Sequence, residues 1–207
     1  MRKYLVEFIG TFFLVLTIGM VVLSGVGSFA PLAIGTMLMV MIYAGGHISG
    51  GHYNPAVTLA VLIRRRIGAV DAIAYMIVQV LGAIVAAFLA TYISGKVPEV
   101  APRANTLRAL VAEFLGTFAL AYVVLNVATS KDTAGNSYYG LAIGFTILAM
   151  VYAFASISRG AFNPAVGVGI CIMQITGWAD LWIYLVGCLG GGLVAGLVFL
   201  FLNPGDK

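Results

Sequence analysis

The hydrophobic pattern of the chain consists of long apolar stretches joined by short polar connections. Six stretches are long enough to cross about 30 Å of hydrocarbon as α-helices: residues 5–26, 29–45, 69–93, 107–127, 138–155 and 179–202. The first is too long for the hydrophobic region of a signal peptide, so we expect it to remain as a span. The pattern predicts an all-α membrane protein with six transmembrane helices.

Two further apolar segments, residues 46–63 and 156–175, are broken by glycines and small polar residues before an Asn-Pro-Ala triplet. Proline suits the first turn of a helix and asparagine suits the cap before it, so each triplet predicts a helix start. The triplets are Asn54, Pro55, Ala56 and Asn163, Pro164, Ala165. The helices are too short to cross a bilayer, and two such re-entrant half-helices are typical of a solute pathway.

The chain repeats itself, which defines how the half-helices meet. Asn54 returns as Asn163 at an offset of 109 (163 − 54), and Glu7 returns as Glu113 at an offset of 106 (113 − 7). Each repeat, about residues 1–98 and 107–207, holds three spans and one half-helix. An odd number of spans inverts the second copy, so the pattern predicts one channel domain over residues 1–207 with the half-helix N-termini facing each other at mid-membrane.

The chemistry of that meeting point favours neutral solutes. Each helix N-terminus carries about half a positive charge, so two facing N-termini repel cations. Asn54 and Asn163 can cap their helices through the side-chain oxygen and offer an NH2 group to a solute. The non-helical stretches before them predict a ladder of backbone carbonyls along the path. These pore-lining positions are Gly50, Gly51, His52, Tyr53, Arg159, Ala161 and Phe162.

Composition and charge support a membrane location. Residues are 62% hydrophobic and 9% charged, and the net charge of +4 comes from residues at helix ends, so nucleic acid is not expected as a partner. Six spans place both termini on one side, together with most basic residues: Arg2, Lys3, Arg64, Arg65, Arg66, Lys131 and Lys207, against Lys96, Arg103 and Arg108 on the other. The positive-inside rule then predicts cytoplasmic termini. Short loops fit the plasma membrane of a bacterium or archaeon.

The paired triplets, the His47 to His52 lead-in His-Ile-Ser-Gly-Gly-His, and the Glu-Phe-Ile/Leu-Gly-Thr openings at Glu7 and Glu113 resemble the aquaporin (major intrinsic protein) family. The resemblance covers essentially the whole chain. It implies a homotetramer in the lipid bilayer with one pore per subunit. It also implies passive conduction of water or small neutral solutes, with no cofactor and no catalysis.

The resemblance places the narrowest point of the pore at four positions, Ile34, Val151, Gly160 and Val166. Most family members have arginine where this chain has Val166, and many water-selective members have histidine where it has Val151. An apolar filter without arginine predicts a wider and less selective constriction, with glycerol, urea, ammonia and hydrogen peroxide as candidate solutes. Gly167 stands where glycerol channels typically have aspartate, so the markers do not agree on one solute.

Several polar and small residues have two interpretations. Glu7 and Glu113 could serve a proton relay, but we favour a structural role in which they accept hydrogen bonds from the re-entrant loops, as the resemblance implies. Arg159 could replace the missing filter arginine, although we favour an arginine that extends to headgroups. The glycines within the spans predict places where two helices cross closely: Gly10, Gly35, Gly82, Gly116, Gly144, Gly187 and Gly190 to Gly192.

A passive channel is the leading function, and a secondary transporter is the alternative because inverted repeats and broken helices occur there too. A transporter needs a coupling group at mid-depth, and no acidic residue is near Asn54 or Asn163 in sequence. A junction-forming role has little loop surface to support it. His47 and His52 lack an acidic or cysteine neighbour, so no metal site is predicted; His52 could line the pore, and a pH gate there is the less favoured reading.

Cys171 and Cys188 both lie in apolar surroundings away from the predicted constriction, so we interpret them as packing residues. Mercury compounds should therefore inhibit water flux only weakly, because no thiol is present where a bound mercury atom would block the path. Osmotic shrinkage of proteoliposomes with and without mercuric chloride measures this. Strong inhibition that disappears on changing either cysteine to serine would contradict the prediction.

Overall fold

The computed structural model describes residues 1–100 and 105–206. Two of the basic residues assigned above to the sides of the membrane, Arg103 and Lys207, therefore lie outside the described residues. The described chain is all-helical, which confirms the predicted fold class. Its α-helices are α1 (Arg2–Leu23), α2 (Ala30–Ser49), α3 (Pro55–Ile63), α4 (Ala69–Ser94), α5 (Thr106–Ala128), α6 (Tyr139–Ser158), α7 (Pro164–Ile172) and α8 (Leu181–Leu202). Short 3-10 turns at Gly27–Phe29 and Trp178–Asp180 precede α2 and α8.

Six of these helices, α1, α2, α4, α5, α6 and α8, are long and apolar enough to cross a membrane. Two of them run further than the sequence pattern predicts: α2 continues to Ser49 and α6 to Ser158, past the predicted ends at residues 45 and 155. Each ends at a left-handed residue, Gly50 with φ of 91° and Arg159 with φ of 73°. The glycines at positions 45 and 46 thus lie inside α2, and the chain breaks only where the backbone turns left-handed.

The half-helices α3 and α7 begin at Pro55 and Pro164, as predicted, and each has nine residues. Helix α7 ends at Ile172, before the predicted end at residue 175. Gln174 takes a positive φ shortly after this end. Helix α3 packs on α8 of the second repeat, and α7 packs on α4 of the first. Each half-helix is therefore held by the opposite repeat, which brings both into the interior.

The two repeats pack in the same way. Helix α1 packs on α2 and α4, and its counterpart α5 packs on α6 and α8, while α2 and α6 contact each other across the middle. Tyr43 and Tyr152, also 109 residues apart, tie the repeats together: the Tyr43 hydroxyl donates to the Ser137 carbonyl at 3.1 Å, and the Tyr152 hydroxyl to the Ser28 carbonyl at 2.7 Å. Each tyrosine fixes the turn that leads into the partner helix of the other repeat.

Glycines allow the closest helix crossings. Gly35 on α2 and Gly144 on α6 face each other, and a Cβ on either would lie 2.6 Å from the carbonyl oxygen of the other. Gly82 and Gly191 approach the backbone of α1 and α5 in the same way, with a Cβ 2.6 Å and 2.5 Å from a carbonyl oxygen. These contacts leave no room for a side chain, in agreement with the predicted crossings.

Gly10 and Gly116 have a different role from the predicted one. Their missing side chains make room for aromatic rings, those of Tyr53 and Phe162, rather than for another helix. Both rings are fully buried and belong to the residues just before the Asn-Pro-Ala triplets. The two glycines therefore seat the re-entrant loops against α1 and α5.

A buried ion pair lies on the face of the bundle that carries Met1 and Asp206, here called the terminal face. Arg64, at the end of α3, is only 1% exposed. Its guanidinium donates to Asp206 Oδ1 at 2.7 Å and lies 4.6 Å from the centre of the Phe199 ring. A buried arginine needs such a partner, so the carboxylate determines where this side chain lies.

Burial alone would raise the pKa of the Asp206 carboxyl, but the Lys131 N–H, the Ser130 hydroxyl and the Arg64 guanidinium together hold that pKa below its usual range. Arg66 adds a longer contact to the same oxygen at 3.4 Å. Asp206 is therefore ionised at neutral pH and connects α3 to the loop after α5.

Replacing Gly144 with alanine should destabilise the protein by about 1–3 kcal/mol, because the new methyl group meets the backbone carbonyl of Gly35, which cannot turn aside. Gly190→Ala is the matched control, since its Cβ would lie 3.4 Å from the Phe114 ring and a helical alanine is worth up to about 1 kcal/mol over glycine. Thermal unfolding in detergent, with the folded fraction measured by size-exclusion chromatography, compares the unfolding midpoints of the two variants. Equal midpoints for both variants would contradict the crossing.

Candidate functional site

The N-termini of α3 and α7 meet in the middle of the bundle. Asn54 Oδ1 accepts hydrogen bonds from the N–H groups of Ala56 at 2.8 Å and Val57 at 3.4 Å. Asn163 Oδ1 does the same for Ala165 at 2.9 Å and for the following residue at 3.5 Å. The predicted N-caps are thus confirmed, and both helix ends direct their positive poles to one point.

The two asparagines also bind each other's loop, which the sequence did not indicate. Asn54 Nδ2 donates to the Phe162 carbonyl at 2.9 Å, and Asn163 Nδ2 donates to the Tyr53 carbonyl at 2.9 Å. An amide nitrogen has two hydrogens, so each asparagine keeps one for a solute. This reciprocal pair fixes the orientation of both amide groups.

Glu7 holds the first re-entrant loop. It is fully buried on α1, and its Oε1 accepts from the Ser49 hydroxyl at 2.6 Å and the His52 N–H at 3.0 Å. Its Oε2 accepts from the Tyr53 N–H at 2.7 Å and from Gln79 Nε2 at 2.8 Å. Four donors thus surround one carboxylate, which compensates for its removal from water.

Glu113 holds the second loop with nearly the same set. Its carboxylate accepts from the Ser158 hydroxyl at 2.6 Å and from the N–H groups of Ala161 at 3.0 Å and Phe162 at 2.6 Å. Its fourth donor is the Cys188 thiol at 3.4 Å, at the position where the first repeat has glutamine. A thiol is a weaker donor than an amide, so the second carboxylate is less firmly held on that side.

The bonds to the glutamates keep two residues in an unusual backbone conformation. Tyr53 has a φ of 48° and Phe162 a φ of 47°, which for non-glycine residues costs of order 1–3 kcal/mol. Their N–H groups point at the carboxylates, and their carbonyls then accept the opposite asparagine. The strain therefore has a direct result, which is that each loop presents its carbonyl to the other half of the protein.

A narrow enclosed cavity of about 20 Å³ passes this meeting point. Among its lining residues are both asparagines and all four predicted filter positions, Ile34, Val151, Gly160 and Val166. Of the predicted backbone positions, the cavity lining includes Gly51, His52, Tyr53 and Ala161, Gly50 lines a second cavity, and Arg159 and Phe162 are in neither lining. The other lining side chains are aliphatic, from α1, α2, α3, α5 and α6.

The cavity at this point is small. A volume of about 20 Å³ accommodates one or two water centres, since one water needs about 10–15 Å³ by this measure. The side chains of Ile34, Val151 and Val166 are 2% to 6% exposed, so they are closely packed where they line the cavity. The four predicted filter positions therefore form an apolar and closely packed part of the lining.

On the terminal face the path opens into a polar vestibule of about 870 Å³. His52 lines both spaces and so marks the boundary between them. The vestibule is bordered by His47, by the Lys3–Asp71 ion pair of 2.7 Å, and by the loop after α5. The path therefore changes here from a wide space bordered by charged residues to a narrow, mainly aliphatic one.

The two cysteines lie outside both cavity linings and are buried. Gln79 and Thr58, in contrast, are fully buried polar residues one layer behind the path, and they belong to none of the motifs described above. The signal was available for Gln79, which is an isolated amide in the apolar span that became α4. For Thr58 the only hint was its position one turn after Asn54.

Six apolar spanning helices around two capped half-helices, with a narrow passage where the caps meet, define a membrane channel. The family model described as "Major intrinsic protein" matches residues 1–199. The chain therefore belongs to the major intrinsic protein family, as the motifs indicated, and is an integral multi-pass membrane protein. Members of this family are passive channels for water and small solutes such as glycerol, and they are not enzymes.

Similar proteins come from bacteria and plants. The chain is 39% identical over 206 residues to the "Glycerol uptake facilitator protein-like 6" of Lactiplantibacillus plantarum, covering 94% of this chain and 95% of that one. It is 33% identical over 222 residues to Nodulin-26 of Glycine max, covering 100% of this chain and 80% of that one. The X-ray structure of the aquaglyceroporin from Plasmodium falciparum has the same fold, with a TM-score of 0.81, 21% identity, and coverage of 96% and 94%.

Glu113→Gln should lower the free energy of unfolding by about 1.5–3 kcal/mol, because the new NH2 group faces the backbone N–H groups or the hydroxyl that the carboxylate accepted. Water permeability per folded protein should fall as the loop loses its position. Glu99→Gln, at an exposed residue, is the control. Thermal unfolding and stopped-flow light scattering measure both effects, and wild-type values for the Glu113 variant would show that the carboxylate does not support the loop.

Proposed function

We propose that water and small uncharged solutes cross this protein passively along the narrow cavity between Asn54 and Asn163. The observation that carries the proposal is that the asparagines of both triplets and all four filter positions line one narrow space. The helix poles and the two free amide hydrogens favour a neutral solute with a lone pair, and they repel cations. The Glu7 and Glu113 carboxylates are the supports that keep both loops in this arrangement.

We propose that Ile34, Val151, Gly160 and Val166 form an apolar selectivity filter without the usual arginine. Such a filter offers a solute no hydrogen bond from a side chain, so molecules with few polar groups lose least on entry. Ammonia and hydrogen peroxide are small molecules with few polar groups, so they are the favoured candidates. Urea and glycerol lose more hydrogen bonds on entering an apolar filter; glycerol stays a candidate because a bacterial relative is named a glycerol uptake facilitator.

For Arg159 we propose the role of a headgroup or solvent contact. Its side chain is exposed and lies outside the lining of both cavities. Its counterpart in the first repeat is Gly50, and both residues end their helices with a positive φ. A cation that replaced the filter arginine would have to reach the constriction, which this placement does not favour.

The alternative function is a secondary transporter, which needs a group that binds a coupling ion. Glu7 and Glu113 are the buried carboxylates of α1 and α5, and each already accepts four hydrogen bonds. Neither lines the narrow cavity. A channel is therefore favoured, and a low activation energy with unsaturable flux distinguishes it from a carrier.

We infer that the terminal face is cytoplasmic. Among the described residues, Arg2, Lys3, Arg64, Arg65, Arg66 and Lys131 belong to this face, and Lys96 and Arg108 to the opposite one. The positive-inside rule then places the vestibule toward the cytoplasm and the filter toward the outside. A homotetramer in the plasma membrane of a prokaryote completes the proposal, as the family resemblance implies.

Val166→Arg should restore selectivity for water, because the long cationic side chain narrows the filter and offers donors to a single small solute. Stopped-flow light scattering on proteoliposomes compares osmotic shrinkage with re-swelling in urea and glycerol. The wild type should conduct water and at least one of the two solutes. The flux of urea and glycerol through the variant should be several-fold lower than through the wild type.

Val166→Met is the matched control, since it lengthens the side chain without adding charge. If the wild type conducts water well and excludes every solute, the four apolar residues do not make the pore permissive. Another group must then determine selectivity.

A further inference from the structure

The fully buried Thr58 hydroxyl lies directly behind the path and contacts three polar groups at once. Its Oγ1 is 3.0 Å from the Asn54 carbonyl oxygen, 3.0 Å from Gln79 Nε2 and 3.1 Å from His52 Nδ1. A hydroxyl group has one hydrogen to give and two lone pairs to accept with. The identity of the three neighbours therefore determines which of them must donate.

The Gln79 amide can only be a donor to Thr58. Its Nε2 also donates to the Glu7 carboxylate at 2.8 Å, and the reversed amide would place its oxygen against that negative charge. Both amide hydrogens are then used, one on the carboxylate and one on Thr58. This leaves the threonine hydroxyl with one lone pair and its own hydrogen.

The Asn54 carbonyl can only accept, so the Thr58 hydrogen belongs between these two oxygens. If the hydroxyl turned to His52 instead, two oxygens 3.0 Å apart would face each other without a hydrogen between them. A threonine that bonds to the carbonyl four residues before it is a common helical arrangement. The remaining lone pair of Thr58 then accepts from His52, which requires a hydrogen on Nδ1.

We propose that Thr58 and Gln79 are positioning residues that fix the neutral His52 ring in its Nδ1–H form, so that the bare Nε2 accepts a hydrogen bond from the permeating solute. Nδ1 is the ring nitrogen with a hydrogen-bond partner among the described residues. The ring also packs edge-on against Tyr75, with centroids 5.2 Å apart, so its orientation is fixed on two sides. Nε2 lies next to Gly50, at the boundary of pore and vestibule, where a Cβ would be 3.1 Å away.

An acceptor at this point complements the asparagine donors. Among the described residues that line the narrow cavity, Asn54 and Asn163 have their side-chain oxygens engaged in the helix caps, and the Tyr53 hydroxyl donates to the Met41 carbonyl at 2.9 Å. His52 Nε2 then offers an acceptor in this lining that has no hydrogen-bond partner among the described residues. Solutes that carry an O–H or N–H group gain a partner as they leave the asparagines, and aprotic solutes do not.

The second repeat has no equivalent of this arrangement. The residues 109 positions after His52, Thr58 and Gln79 are Ala161, Gly167 and Cys188. The donor and acceptor pattern is thus confined to the vestibule half of the path. The inference rests on His52 lining the conducting path, which is part of the proposed function.

Nitrogen NMR of histidine-labelled protein in bilayers tests the ring state directly. The chain has two histidines, so a His47→Gln variant assigns the His52 signals. At mildly alkaline pH, where the ring is neutral, we expect Nδ1 to carry the hydrogen and Nε2 to give the shift of a bare imine nitrogen. A hydrogen on Nε2 in the wild type would overturn the proposal.

Thr58→Val, Thr58→Ser and Thr91→Val test the consequence for transport. Valine at position 58 should give a mixture of the two His52 ring forms and lower water permeability about threefold. Serine should restore the Nδ1–H form and the wild-type permeability. Thr91→Val removes a similar helical hydroxyl at the far end of α4 and should change neither the ring form nor the permeability. If valine mixes the ring forms but leaves permeability unchanged, the positioning role is wrong, whereas failure of the wild type to conduct would instead refute the proposed channel.

Discussion

Backbone N–H groups in the middle of an apolar bundle need acceptors, and two buried carboxylates supply them here. Glu7 and Glu113 each accept from two consecutive N–H groups of a re-entrant loop and from a serine hydroxyl at the end of the preceding helix. Without such acceptors the loops could not remain non-helical at this depth. Because the loops are held, Tyr53 and Phe162 tolerate a positive φ, and the half-helices start at a fixed point.

From that constraint the rest of the path follows. The half-helices start opposite each other, their asparagines cap them, and each amide also binds the carbonyl of the opposite loop. The opposite repeat encloses each half-helix, since α3 packs on α8 and α7 on α4. The result is a narrow passage in which two donors are held at the middle and aliphatic side chains surround them. Its selectivity depends on which atoms are left free after the structural bonds are made.

The two halves are similar in backbone but different in chemistry. Where the first repeat has His52, Thr58 and Gln79, the second has alanine, glycine and cysteine, so polar groups cluster toward the vestibule and apolar groups toward the filter. The terminal face is also the more strongly tied, through Arg64 and Asp206. An inverted repeat gives the same fold twice, and substitutions within one copy make the two ends of the path chemically different.

The sequence by itself determined the six spans, the two half-helix starts, the inverted repeat and the family, because hydrophobic length, capping residues and internal offsets are local or periodic signals. It did not determine that α2 and α6 continue to Ser49 and Ser158, nor that Arg64 is buried. It also missed the contacts of Thr58 and Gln79. Only the tertiary structure decided these, since each depends on which side chains from distant helices meet and fill the space between them.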